Sequence, residues 1–309
     1  MDIIEITSKE YDEFNKTPFS AFENSPFYDL NKNKVDSIHY LVFNDGKNRF
    51  VTCAGIKEGA VKFPFSASFS MLNSVTHRNK ILIYHEAIDA LNIWSKEKGC
   101  VEIVYSLPPL CYDSTSVTLL TNALFTHGYK IADVEVNYEY YLDDFTSNYE
   151  MDIDPKARQK LRASLKNDLT FEKTDDVDTV YNVIKRNRSY RGFPLWMSLE
   201  DVKNTIRIIH VDMFLAKDNT GVAIASALIY HLSVNIVRII YWGNTEESEA
   251  LRPMNYLAYR VFDYYSNTNV KIIDIGHSTE NSIPNFGLCD FKQSIGCRCS
   301  PKFYMIKQL

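Results

Sequence analysis

In the first half of the chain, predominantly apolar stretches that favour extended backbone cover residues 39–43, 50–56 and 61–65. Asn44-Asp45-Gly46 and Lys57-Glu58-Gly59 separate these runs. Extended stretches bounded by these turn signals predict three antiparallel strands. The pattern then changes. Ile83, Ala87, Ala90, Leu91 and Trp94 recur at helical spacing and predict an amphipathic helix over about 80–98, stopped by Gly99. Residues 101–105 predict a strand. Leu119, Leu120, Ala123, Leu124 and Phe125 predict a second helix ending at Gly128, and 134–142 a long strand.

The second half runs through the same order. Strands are predicted at 213–216, 222–230 and 236–242, with Asp218-Asn219-Thr220-Gly221 as the first turn. A helix over about 253–265 follows, then a strand at 271–275, a short helix at 286–295 closed by Gly296, and a strand at 302–306. Three antiparallel strands, a helix, a strand, a helix and a strand, used twice, make a duplicated α+β unit with mixed sheets. Strict βαβ alternation is incompatible with the two meanders. The expected division is 1–150 and 151–309, with the last strand able to pair with the N-terminal unit. Helices over 154–166 and about 177–186 connect the halves.

Composition narrows this picture without altering it. The chain has 309 residues, 45% hydrophobic and 24% charged, which is globular and allows two cores at ~150 residues per domain. Its net charge of −5 argues against whole-molecule steering toward nucleic acid, so any anion site has to be local. The apolar stretch 221–242 is long enough to raise the question of a membrane span. However, Ser226, His231, Ser233, Asn235 and Arg238 interrupt it with strand periodicity. No basic segment followed by an apolar run opens the chain, so no signal peptide is expected. The six cysteines then read as cytosolic thiols, and the expected location is the cytoplasm.

Several short stretches carry a family resemblance. Pro155-Lys-Ala-Arg158-Gln-Lys-Leu-Arg162-Ala-Ser-Leu-Lys166 is a basic helix between the halves, and Arg186-Asn-Arg188-Ser-Tyr-Arg191-Gly192-Phe-Pro follows it. Near the end stand Asp274-Ile-Gly276 and Gly287-Leu288-Cys-Asp-Phe291-Lys292, closed by Gly296; Ser66-Ala-Ser68-Phe69-Ser70 is a small-residue loop in the first half. Together with the element order, they resemble the tandem GNAT-fold acyltransferases of the FemABX-like and BioF2-like branch. One departure stands out. Where single-domain GNAT enzymes carry R/Q-x-x-G-x-G/A, this chain has Arg252-Pro-Met-Asn255-Tyr-Leu257, with the arginine and without either glycine. Close backbone approach to phosphates favours those glycines.

The resemblance implies acyl transfer to an amine in the second half, at the ends of the strands that flank the first helix. Transfer needs a neutral amine, a stabilised oxyanion and a protonated leaving group. The implied catalytic residues are Lys292, Asp274 and His277. Arg252, Asn244, Arg158 and Arg162 are the implied donor contacts, and Tyr241, Trp242, Arg191 and Phe291 the substrate contacts. Arg158 and Arg162 share a helical face, as do Arg162 and Lys166. Lys292, Arg158 and Arg162 also have a bland reading as solvated helix cations, and Asp274 one as a strand-end carboxylate satisfied by backbone amides. The implied co-substrate is acyl-CoA, acetyl-CoA included. The acceptor is an amine on a small metabolite, amino sugar or envelope precursor.

Two other readings stand beside this one: an aminoacyl-tRNA-dependent FemX-like peptidyltransferase, and a non-catalytic binding protein on the same fold. Cys289, Cys297 and Cys299 have no fourth ligand at standard zinc spacing, so no metal is expected. Walker, dinucleotide, metalloprotease and hydrolase motifs do not occur. The first half, with Thr126-His127-Gly128 where the second has its Lys292 segment, is expected to form an acceptor wall without a donor site.

Overall fold

The computed structural model describes residues 1–76 and 80–309. The chain forms two compact units. The first comprises Met1–Val136, Thr279–Ile283 and Ser300–Leu309, and the second Asn137–Ser278 and Pro284–Cys299.

The first unit begins with β1 (Asp2–Ile6), α1 (Ser8–Phe14) and α2 (Ser25–Asn31). The expected meander follows as β2 (Ser37–Asn44), β3 (Asn48–Lys57) and β4 (Ala60–Phe63), with β5 (Asn73–Ser74) added beside β3. Then come α3 (Ile81–Glu97), β6 (Glu102–Ser106), α4 (Ser114–Thr126) and β7 (Lys130–Tyr141), whose residues from Asn137 onward belong to the second unit. The five residues that predicted α3 are all buried, in one core with Val117, Leu120, Ala123 and Leu124 of α4. Phe125 points outward instead, 60% exposed. The pattern read from the sequence begins at residue 39 and does not include β1, α1 or α2. The opening helix rests on a capping box, with Thr7 and Glu10 satisfying each other's backbone amides.

In the second unit, α5 (Tyr149–Asp152) and α6 (Pro155–Ser164) precede β8 (Thr170–Lys173), α7 (Val177–Arg191) and α8 (Leu199–Thr205). The second meander is β9 (Val211–Lys217), β10 (Ala223–His231) and β11 (Ile236–Asn244). After it come α9 (Pro253–Ser266), β12 (Ile272–His277) and α10 (Phe286–Ser294); between the last two in the chain lie the two-residue strands β13 (Thr279–Glu280) and β14 (Ile283–Pro284), of which residues 279–283 belong to the first unit. The last strand, β15 (Arg298–Gln308), runs antiparallel to β6 from Tyr304 onward, within the first unit's sheet.

In the first unit the strand order is β1-β2-β3-β4-β6-β15, and in the second it is β7-β12-β11-β10-β9-β8. Each unit has a parallel pair among its described strands, β4 with β6 and β11 with β12. Parallel neighbours need a crossover, which α3 and α9 supply. The α9 face Leu257, Ala258, Val261, Phe262 and Tyr265 is buried, as are Val180, Val183 and Ile184 of α7. The duplicated mixed α+β order is thus the architecture of the chain. No helix among the described residues is long and apolar enough to cross a membrane.

Candidate functional site

In the second unit, β11 and β12 pair only from Ile236↔Ile272 to Arg238↔Asp274. Beyond that point β11 continues to Asn244 without β12 beside it. Two irregularities turn the strands apart. The β10–β11 register slips between Leu228 and Ile229, leaving Ile240 unpaired opposite them. β12 slips against β7 between Asp274 and Gly276, where Gly276 has φ +79°. Bulges sharpen local twist and re-aim the following side chains. Here they set Trp242, Gly243 and Asn244 at the edge of an open cavity.

That cavity, about 380 Å³, is lined from six places, one of them Glu249 in the turn before α9. Trp242, Gly243 and Asn244 come from β11, and Arg252, Pro253, Met254 and Asn255 from the start of α9. Asn187, Arg191 and Phe193 come from α7 and the residues after it, Asn285, Gly287, Leu288 and Phe291 from α10, and Lys160 from α6. Two helix N-termini therefore border one cavity with three cationic side chains. Unpaired amides and the helix dipole make such ends favourable for anions. Glu249 is the carboxylate among the lining residues, and it forms an ion pair with Arg191. Arg252 itself occupies the cap of α9 in a left-handed conformation, φ +56°, without a side-chain cap. The apolar wall is Trp242 and Phe291, edge to face with centroids 5.8 Å apart.

Five of the residues expected from sequence meet at this cavity: Arg252, Asn244, Trp242, Arg191 and Phe291. Tyr241 is buried behind it, its ring 5.2 Å from the Arg188 guanidinium. Arg158 and Arg162 do not reach the cavity. Arg158 donates to the carbonyls of Met151 (2.8 Å) and Ile153 (3.4 Å), and Arg162 pairs with Glu150. Lys160 lies two residues from each, on the opposite side of α6, and lines the cavity instead. Sequence spacing identified the arginine face but not which face the fold turns inward.

The three expected catalytic residues are also outside the lining. Asp274 is fully buried, ion-paired with Arg238, and accepts from Asn137 Nδ2 and the Gly276 amide, both at 2.9 Å. Lys292 is 2% exposed and donates to the carbonyls of Ile275 (3.1 Å), Gly276 (2.8 Å) and His277 (3.2 Å). Burial pulls its pKa down to about 7, against the nearby Cys297 and Asp274. Phe291 and Lys292 are adjacent on α10 and point about 100° apart, so only one can face the cavity. His277 is exposed at the end of β12. Together, Asp274 and Lys292 clamp the bulged end of β12 where it leaves β11.

Lys160, Asn187, Phe193, Glu249, Met254, Asn255, Asn285 and Leu288 line the cavity and were not singled out in the sequence. For Asn187 a signal existed, since it is the uncharged position between Arg186 and Arg188. Those two arginines turn elsewhere: Arg186 grips Glu247 at 2.8 and 2.9 Å, and Arg188 lies between Tyr241 and Phe193.

No protein-family model matches the sequence, and no curated protein matches it either. Solved structures do share its fold. FemX superposes with a TM-score of 0.72 at 15% identity, over 100% of this chain and 98% of that one. The C-terminal domain of a putative lysylphosphatidylglycerol synthetase from Agrobacterium fabrum gives 0.62 at 10% identity, over 98% and 93%. A tandem GNAT protein from the clavulanic acid biosynthesis pathway gives 0.56 at 8% identity, over 99% and 98%. The chain has the tandem GNAT fold.

Proposed function

We propose that the second unit is an N-acyltransferase that takes an acyl group from acyl-CoA and places it on an amine of a small metabolite, amino sugar or envelope precursor. The observation that carries this reading is the convergence of the α9 and α10 N-termini with Arg252, Lys160 and Arg191 on one cavity. Its aromatic wall sits where β11 parts from β12. The fold shared with a tandem GNAT protein supports the same chemistry.

In this reading Arg252 and Lys160 hold the donor phosphates, and the α9 dipole adds to them. Asn244 orients the donor, while Trp242 and Phe291 enclose its acyl end. Arg191 meets the acceptor. The amine lone pair attacks the acyl carbonyl carbon, and the carbon–sulfur bond breaks. The departing thiolate takes up a proton, and the amine gives one up. His277, at the open end of β12, takes the amine's proton, a role suited to imidazole near neutral pH. Asp274 and Lys292 act as positioning residues that hold the bulged end of β12 in place. The location consistent with this chemistry is the cytoplasm.

One feature favours a second donor. Pro253 has no N–H and Met254 and Asn255 carry Cβ atoms, so the start of α9 offers fewer backbone donors to a pyrophosphate. An aminoacyl-tRNA, gripped by side chains at its 3′ end, suits that surface. The fold shared with a protein named for lysylphosphatidylglycerol supports an aminoacyl cargo as well.

Thermal-shift measurements with acetyl-CoA, longer acyl-CoAs and charged tRNA test the proposal. Stabilisation by a CoA ester, with turnover on an amine, is the expected result. Stabilisation by charged tRNA alone transfers the function to the second donor, and binding without turnover makes the chain a binding protein.

A further inference from the structure

A second cluster of reactive side chains lies at the other end of the same sheet, where β10 finishes and β9 begins. His210, Asp212 and His231 each offer one ligand atom, all within 4.8 Å of one another. The two imidazoles stack with centroids 4.1 Å apart. Asp212 is 2% exposed and is held from two sides. His231 Nε2 lies 2.7 Å and the Tyr265 hydroxyl 2.8 Å from Oδ2, while Lys173 Nζ lies 2.5 Å from Oδ1. Sequence reading assigned none of the three a ligand role, because none belongs to a motif and His231, on β10, lies on a different strand from Asp212.

From this arrangement we infer that the chain binds a divalent transition metal of the zinc class at His210, Asp212 and His231. The site is separate from acyl transfer and goes beyond that reading. Two imidazoles and a carboxylate form a donor set that zinc accepts, with metal–ligand distances of about 2.0–2.2 Å. Tetrahedral geometry then sets neighbouring ligand atoms about 3.4 Å apart. The cluster reaches this spacing with a rotation of the exposed His210 ring, since His231 and Asp212 already meet. The metal takes the place of the proton that joins His231 Nε2 to Asp212 Oδ2.

Supporting groups for such a site are present. The Tyr265 hydroxyl orients the carboxylate from inside the core, as outer partners of metal ligands do. His210 opens toward solvent, which leaves an entry path and a fourth position for water. Lys173 is the competitor. Its ammonium draws charge from the same carboxylate, yet its side chain is 45% exposed and also reaches the Tyr264 hydroxyl at 3.0 Å, so it can move away. A bound ion would tie the start of β9 to the end of β10, far from the cavity at the end of β11.

The test is calorimetric titration of tag-free, chelator-treated protein with zinc chloride, followed by cobalt chloride with visible spectroscopy. One zinc per chain and the intense visible bands of four-coordinate cobalt are expected. His210→Ala, an exposed change that leaves the apo protein's melting curve intact, should weaken zinc binding at least tenfold. Lys173→Ala should tighten it several-fold, and His85→Ala, in the other unit, should leave it unchanged. Absence of zinc binding, equal binding by His210→Ala, or equal loss in His85→Ala overturns the site. Failure of Lys173→Ala to tighten binding removes Asp212 as a ligand.

Discussion

The side chain of Asn187 lies directly against the backbone of Gly243. A Cβ added at Gly243 would come within 2.8 Å of Asn187 Cβ and closer still to its amide group. Asn187 Nδ2 also donates to the Asn244 carbonyl at 2.8 Å. α7 is therefore pinned to the strand end that forms the cavity floor, and Gly243 is what permits the approach.

Gly243→Ala should destabilise the protein by about 1–3 kcal/mol, the usual range for forcing atoms into a filled space. Adding Asn187→Gly removes the collision. Urea denaturation of the double variant should show less loss than the two single changes summed, because the residues touch. Strict additivity would mean the two do not share that space.

The cavity cations make a prediction of opposite signs. Arg252→Ala removes a charged donor and should raise the KM for a phosphate-bearing donor about tenfold or more, from the usual range for hydrogen bonds to charged groups. Glu249→Gln removes the carboxylate paired with Arg191 and should lower that KM. Steady-state kinetics at two ionic strengths distinguish these effects from misfolding, which would not depend on salt in this way.

Asp274 and Lys292 predict damage to the fold before damage to chemistry. Asp274→Asn removes the carboxylate ion-paired with the Arg238 guanidinium, itself 4% exposed, and breaking such a buried pair costs about 3–5 kcal/mol. Lys292→Met leaves the Ile275, Gly276 and His277 carbonyls without the ammonium they share, about 1–3 kcal/mol. Chemical denaturation should show both losses. A variant that keeps full stability and loses turnover would instead mark its residue as catalytic.

Glu23 sets a pH dependence in the first unit. Its carboxyl is fully buried, accepts from the Met71 amide at 2.7 Å and from Ser70 Oγ at 3.2 Å, and burial raises its pKa from 4.5 to about 7. A raised folded-state value means the unfolded chain releases this proton first. The associated stability is complete below about pH 4.5 and is lost as pH rises through about 7. Subtracting the pH–stability curve of Glu23→Gln from that of the native protein should isolate this decline. A flat difference between pH 4.5 and 7 would contradict it.

The repeat of elements was legible because periodicity records which face of a strand or helix is buried. All five positions that the spacing named on α3 are buried, together with Tyr84, Ile88, Asn92 and Ser95 beside them. Periodicity could not reveal β8 or α8, which are four and seven residues long. Of the site, Arg252, Asn244, Trp242, Arg191 and Phe291 were found because their positions follow from strand ends and helix starts. The inward turn of Lys292 and the choice of Lys160 over Arg158 were not, because helix rotation is fixed by tertiary packing. Asn187 was hidden for a related reason: its neighbour in space, Gly243, is 56 positions away in the chain.

The most direct test is a difference electron-density map from crystals grown with acetyl-CoA. The account predicts donor phosphates against Arg252 and Lys160, with the thioester beside Trp242 where β11 and β12 diverge. Density for the donor in the first unit, or none in this cavity at a concentration that shifts the melting temperature, would contradict it.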